Sequence, residues 1–157
     1  HPLSNLYGGA GKPSSEQIWG GVLDAGKVIF GVATDDSHNY TDFEPSMSNP
    51  GRGWVMVRAA ELTTNAIVEG LASGEFYAST GVTLSELDIS EESIALSIEQ
   101  ASDAVYSTTF VGRGGVTLAE EVGLQASYAV QGGEGYVRAT IASSAGPRAW
   151  TQPLFVR

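Results

Sequence analysis

The stretch Val28-Ile29-Phe30-Gly31-Val32-Ala33-Thr34-Asp35-Asp36-Ser37-His38 decides how the rest of the chain is read. Six residues, Val28 to Ala33, have the length and branching of a buried strand. A helical pattern closes just before them, so the segment reads as the second half of a helix–strand unit. Two carboxylates and an imidazole then fall at the strand's C-terminal end, the edge at which parallel α/β folds hold ligands and metals. Residues i and i+2 of an extended chain point the same way. Asp36 and His38 can therefore aim a carboxylate oxygen and an imidazole nitrogen at one point, a ligand pair that zinc, manganese or iron accepts. Asp35 would face away, or fix the histidine tautomer as a partner behind the ligands. The plainer reading of the same residues is a polar turn with an Asp capping the next element; two ligands alone do not make a metal site.

Upstream, His1 to Pro13 is loop-like, with Gly8, Gly9 and Gly11 ahead of Lys12-Pro13. It is not a phosphate-binding P-loop: Leu6 stands where the first Gly belongs, and Pro13 replaces the Ser or Thr after Lys12. Ser14 to Ala25 reads as a helix, with Ser14 and Gln17 forming a capping box, Ile18, Trp19, Val22 and Leu23 forming its apolar stripe, and Gly26 stopping it. Downstream, Asn39 to Gly53 is an irregular loop placed to roof the site. Its Arg52 is a candidate phosphate clamp, because guanidinium binds phosphate in a planar, bidentate way; the alternative is an ordinary surface arginine. Trp54 to Ala59 reads as a strand. A helix capped by Thr63 or Thr64 runs to about Ser73, and Phe76 to Gly81 reads as a short strand entering a turn. Ser79 or Thr80 could donate a hydrogen bond to a phosphate or a water. Neither has a His and an acid beside it in sequence, so a serine nucleophile has no support.

From Val82 onward helical patterns vanish. Alternating runs appear at Thr83–Ile89, Ser93–Ile98, Ala104–Val111, Gly123–Val130, Gly135–Ala142 and Ala149–Val156, divided by turn residues such as Gly112-Arg113-Gly114-Gly115 and Gln131-Gly132-Gly133. Six such strands suggest a small antiparallel sandwich or barrel. The expected organisation is an α/β region over residues 1–81 and an antiparallel β-domain over 82–157.

The 157 residues suit one medium domain or two small ones and can bury a real core. Net charge is −10, from 18 acidic and 8 basic side chains. That argues against a nucleic-acid-binding surface, which needs a basic stripe, and against binding anionic membranes. A small phosphorylated substrate is still allowed, since a bound cation reverses the potential of a single pocket. There is no cysteine, so disulfides and thiolate zinc sites are excluded. No window is apolar enough for a transmembrane helix and no signal peptide is visible, which leaves a cytoplasmic location as the default.

"GVATDDSH" resembles the last metal-binding motif of the polymerase and histidinol phosphatase (PHP) superfamily, in which a strand ends in Asp-x-His. "HPLSNLYGGAGKPSSEQIW" resembles the segment before that strand in PHP-type phosphoesterases. "GRGWVMVRAAELT" and "GEFYASTGV" resemble the segments after it, and "GYVRATI" and "AWTQPLFV" the end of an accompanying small β-domain. A departure is Gly20-Gly21 after Trp19, where Asp and a larger residue are expected.

The resemblance implies α/β plus all-β architecture: the C-terminal portion of a PHP-type (β/α) barrel followed by a small antiparallel β-sandwich-like domain. It also implies Asp36 and His38 as ligands of a divalent metal (Zn, Mn, Fe or Mg), with Asp35 behind them and Arg52, Ser79 and Thr80 near substrate. His1 would stand near the site's rim, although a terminal residue makes a poor ligand. The family's remaining ligands would lie upstream of His1, and a hydrolytic metal takes about three protein ligands. The chain therefore reads as the C-terminal part of a metal-dependent phosphoesterase, inactive on its own. An incomplete barrel would bare apolar strand edges, to be covered by self-association or by an upstream part. The alternative is a non-catalytic binding module with a vestigial metal motif, with Trp54, Tyr77 and Trp150 as exposed aromatics.

Overall fold

Backbone pairing, rather than a barrel, organises the computed structural model, which describes residues 11–44 and 46–156. In chain order the elements are helix α1 (Ser15–Asp24), strand β1 (Trp54–Val57), helix α2 (Thr64–Ser73), then β2 (Phe76–Ser79), β3 (Leu84–Ile89), β4 (Ser93–Ile98), β5 (Tyr106–Val111), β6 (Thr117–Val122), β7 (Gln125–Ala129), β8 (Tyr136–Ser143), β9 (Arg148–Trp150) and β10 (Leu154–Phe155). Every pairing between them is antiparallel. One sheet runs β1-β2-β9-β8-β5-β6, with β10 also on β8; the second runs β3-β4-β7. Neither closes.

The helices begin and end where local chemistry dictates. Ser14 Oγ accepts from the Gln17 amide at 3.2 Å and Gln17 Oε1 accepts from the Ser14 amide at 2.8 Å, the reciprocal box that satisfies two helix-start donors. Thr63 caps α2 through the Ala66 amide. Gly74 ends it at φ +81, a left-handed conformation that costs a glycine little.

The two sheets share one core. Leu84, Ile94, Leu96, Ile98 and Ala126 from the smaller sheet pack with Tyr77, Phe110, Val137, Ala139, Ile141 and Ala149 from the larger. Period-two alternation makes this possible: β4 buries Ile94, Leu96 and Ile98, and β5 buries Tyr106, Thr108 and Phe110. The larger sheet draws strands from both sides of Gly81–Val82, because β2 pairs with β9.

β8 is buried on both faces over most of its length. Its outer face carries Arg138, which donates from Nη1 to Glu16 Oε1 at 3.0 Å and lies 4.9 Å from the Trp19 ring centroid. Thr140 Oγ1 donates to the same Glu16 oxygen at 3.0 Å. At the other end of α1, Asp24 accepts the Gly114 amide at 2.8 Å. These contacts fasten α1 across the sheet.

The expected fold class is corrected on three points. There is no PHP-type (β/α) barrel portion among the described residues, and no parallel strand pair: β1 and β2, the strands flanking α2, run antiparallel. Val28–Ala33 is not a strand. Val28 is 69% exposed and Val32 61%: among the described residues no strand lies beside this run, and the hydrogen bonds of Ile29 and Gly31 come from the side chains of Trp19 and Gln152 instead. β6 escaped the sequence pattern because it is an edge strand carrying Glu120 and Glu121, with little apolar alternation to reveal it. The antiparallel β-rich texture expected after Val82 is present. Its last run is split into β9 and β10, where Thr151 Oγ1 takes the Ala139 amide at 2.9 Å in place of a ladder bond.

Removing the acid from Glu16 strands a buried guanidinium. Glu16→Gln is expected to lower unfolding free energy by about 2 kcal/mol, below the range for a fully buried pair because Glu16 is partly exposed. The urea midpoint, with an unchanged slope, measures it.

Candidate functional site

Asp35 fixes the loop that carries the expected ligands. Its carboxylate accepts three successive backbone amides: Gly51 at 2.9 Å, Arg52 at 2.5 Å and Gly53 at 2.6 Å. Burial alone would raise this carboxyl's pKa; the amides of Gly51, Gly53 and Arg52 outweigh it and hold Asp35 below its ordinary value. The chain must come very close for this to happen. A Cβ on Gly53 would sit 3.0 Å from the Thr34 carbonyl oxygen, so glycine is what lets the two backbones meet.

The loop from Ser37 to Asn49 is closed by its own polar groups. The amides of His38 and Asn39 both donate to the Ser48 carbonyl at 3.0 Å. Asn49, 2% exposed, donates to the carbonyls of Asn39 and Asp42. Arg52 Nη2 donates to the Glu44 carbonyl at 2.7 Å and to Asn49 Oδ1 at 2.9 Å. The guanidinium read as a phosphate clamp thus braces the loop.

Asp36 and His38 lie on this loop, both exposed. Asp36 adopts φ +51, a left-handed conformation that Asp tolerates better than most residues. Its carbonyl is 2.7 Å from His38 Nδ1. A carbonyl only accepts, so Nδ1 carries the hydrogen, and in the neutral ring Nε2 keeps its lone pair. The group that sets the imidazole tautomer is therefore the Asp36 backbone, while the Asp35 carboxylate serves the amides. Among the described residues no group of three or more His, Cys, Asp and Glu side chains is placed to hold a metal ion.

Ser79 and Thr80 reach the same end of the sheet, since Ser79 pairs with Trp54, the residue after Gly53. Their hydroxyls have local duties. Ser79, fully buried, donates to the Val82 carbonyl at 2.7 Å and accepts the Gly81 amide at 3.0 Å. Thr80 Oγ1 accepts the Arg148 amide at 2.8 Å. Of the aromatics considered for a binding face, Tyr77 is buried with its hydroxyl on the Leu84 amide, Trp150 is half-buried, and Trp54 is 37% exposed. His1 lies outside the described residues.

Sequence reasoning passed over Gln152 and Glu134. Gln152, 3% exposed, takes the Gly31 amide on Oε1 and donates from Nε2 to the Gly31 carbonyl, both at 2.8 Å, so it holds the approach to the loop. Glu134, also buried, accepts from Tyr128 Oη at 3.0 Å and the Gln131 amide at 2.6 Å. Burial opposes its charge, and these donors overcome that and lower its pKa. Neither position carries a motif; only the burial of a polar side chain marks it.

A scan against protein-family models, a search of curated proteins and a search of solved structures each returned no match. The PHP resemblance accordingly rests on the quoted residues alone.

Because its folded pKa is lowered, Asp35 contributes stability that is present above the unfolded carboxyl pKa, near 3.8. That stability is lost as pH falls through the still lower folded value. Asp35→Asn is expected to cost about 2 kcal/mol at neutral pH and to flatten the stability profile between roughly pH 5 and pH 2. Urea unfolding at stepped pH reads both effects.

Proposed function

We propose that the Asp35–Gly53 loop contributes two ligands, the Asp36 carboxylate and His38 Nε2, to a divalent-metal site of a phosphoester hydrolase, and that this chain is inactive by itself. The observation that carries the reading is the 2.7 Å contact between His38 Nδ1 and the Asp36 carbonyl. Ligating imidazoles commonly donate their other nitrogen to a carbonyl or carboxylate, which fixes the tautomer and turns the free lone pair outward. The donor set fits zinc, manganese or iron, an oxygen and an imidazole nitrogen being acceptable to all three. The Asp35 cap supports the reading by holding the loop's backbone in place before any ion arrives.

Two protein ligands fall short of the usual three, so the remaining donors must come from outside the described residues. Bound there, the cation would supply Lewis-acid polarisation of a phosphoester. The protein's own part is narrower: Asp36 brings negative charge, His38 brings a fixed lone pair, and Arg52 holds the loop closed through Glu44 and Asn49.

Calorimetric titration of the purified chain with Zn²⁺ and Mn²⁺ tests this. Weak binding is expected, with a dissociation constant on the order of 0.1–1 mM for two exposed ligands. Asp36→Asn, which removes the charge but tolerates the left-handed backbone, and His38→Ala should each weaken it about tenfold or more. Hydrolysis of p-nitrophenyl phosphate should stay at background. Binding that both substitutions leave unchanged would remove the ligand assignment and leave the non-catalytic module as the reading.

A further inference from the structure

The two sheets are shut against each other on one side and open on the other. At the shut side β6 lies against β7. At the open side β1 and β3 face a cleft of about 360 Å³, with Phe30, Met56, Phe76, Leu87 and Ile89 among its walls. β3 is an edge strand, paired only with β4. Its ladder fixes which groups it leaves free. The Ser90 amide donates to the Ser93 carbonyl at 2.9 Å, so in this register Asp88 with Ala95 and Glu86 with Ser97 also exchange bonds. The amides and carbonyls of Leu87 and Ile89 therefore turn away from β4. Among the described residues one group meets them on that side: Arg58 Nη2 donates to the Leu87 carbonyl. A cationic donor thus already rests on this edge. It is loosely held, because the Arg58 side chain is 62% exposed and its ion pair with Glu75 spans 3.9 Å.

Alternation sorts the side chains of β3. Leu87 and Ile89 pack toward the core, while Glu86 and Asp88 are exposed on the other face. The acidic surface continues into the turn at Glu91 and Glu92. Nine of the chain's 18 acidic residues fall between Arg58 and Arg113, where there is no Lys, Arg or His.

We propose that the β3 edge is a docking site for an extended segment of a partner protein in which basic and apolar residues alternate. The added strand takes the free backbone groups of Leu87 and Ile89. Its apolar side chains enter the cleft. Its alternate side chains stand beside Glu86 and Asp88, where opposite charge favours Lys or Arg. The same charge disfavours a second copy, which would bring the same carboxylates to the edge and a further −10 in all. The site shares no residue with the loop bearing Asp36 and His38 and stands apart from the metal reading.

Fluorescence anisotropy with a short labelled peptide of alternating Lys and Val tests this. At low salt a dissociation constant on the order of 10–100 μM is expected, rising as salt screens the charges. Two control peptides separate charge from ladder. One replaces Lys by Glu; the other keeps Lys but carries N-methyl groups on the amides that would join β3. Each should bind about tenfold or more weakly. Arg58→Gln clears the Leu87 carbonyl and removes a like charge, and should tighten binding about threefold. Glu86→Gln combined with Asp88→Asn, both exposed, should weaken it more at low salt than at high. Hydrogen exchange locates the contact: the Leu87 and Ile89 amides should slow on binding, while those of Glu86 and Asp88, already in the ladder, change little. Equal binding of the N-methylated peptide leaves charge attraction alone and overturns the proposal. So does failure to bind, a weakening by Arg58→Gln, or protection confined to other strands. Protection of these amides that rises with protein concentration in the absence of peptide would place a second copy there and overturns it as well.

Discussion

β8 works on two fronts, and the rest of the structure depends on that. Val137, Ala139 and Ile141 enter the core between the sheets, while Arg138 and Thr140 hold Glu16 on the other side. Val137 and Ile141, fully buried there, are each worth about 2 kcal/mol. The guanidinium is a different kind of term: it costs desolvation unless Glu16 and Trp19 compensate it. The core thus supplies the strength. The polar pair supplies the placement of α1, which in turn brings Trp19 over Gly31 and its indole onto Ile29.

From there a chain of polar contacts leads to the candidate site. Trp19 and Gln152 grip the extended run, the run ends in Asp35, and Asp35 gathers the amides of 51–53. Those amides lead directly into β1 and thence into β2. The loop bearing Asp36 and His38 is therefore tied at both ends to the large sheet, through side chains distant in sequence. A loop so anchored keeps its backbone shape without help from a helix or strand of its own.

Much of this was legible in the chain. Ser14, Gln17, Thr63 and Gly74 announced both helices, because capping is local chemistry. The strands with one dry face, such as β4 and β5, showed in their alternation. Val28–Ala33 misled because a continuous apolar run signals burial only when a partner strand is there to cover it, and partners are not written in the run itself. Spacing places Asp35 either facing away or behind a histidine, and the groups it serves, three amides 16 to 18 positions away, have no local pattern. The guanidinium of Arg52 advertises its chemistry, yet its partners at Glu44 and Asn49 are set by the loop's path.

The sheet's passage across Gly81–Val82 bears on how this protein could be dissected. Cleavage between those residues would part β2 from β9 and divide Tyr77 and Val82 from one another across a single apolar interior. Each half would carry a freshly bared row of amides and carbonyls, a ready template for aggregation. A protease should accordingly find this junction a poor place to begin, since opening it means melting the common interior and not merely clipping a tether.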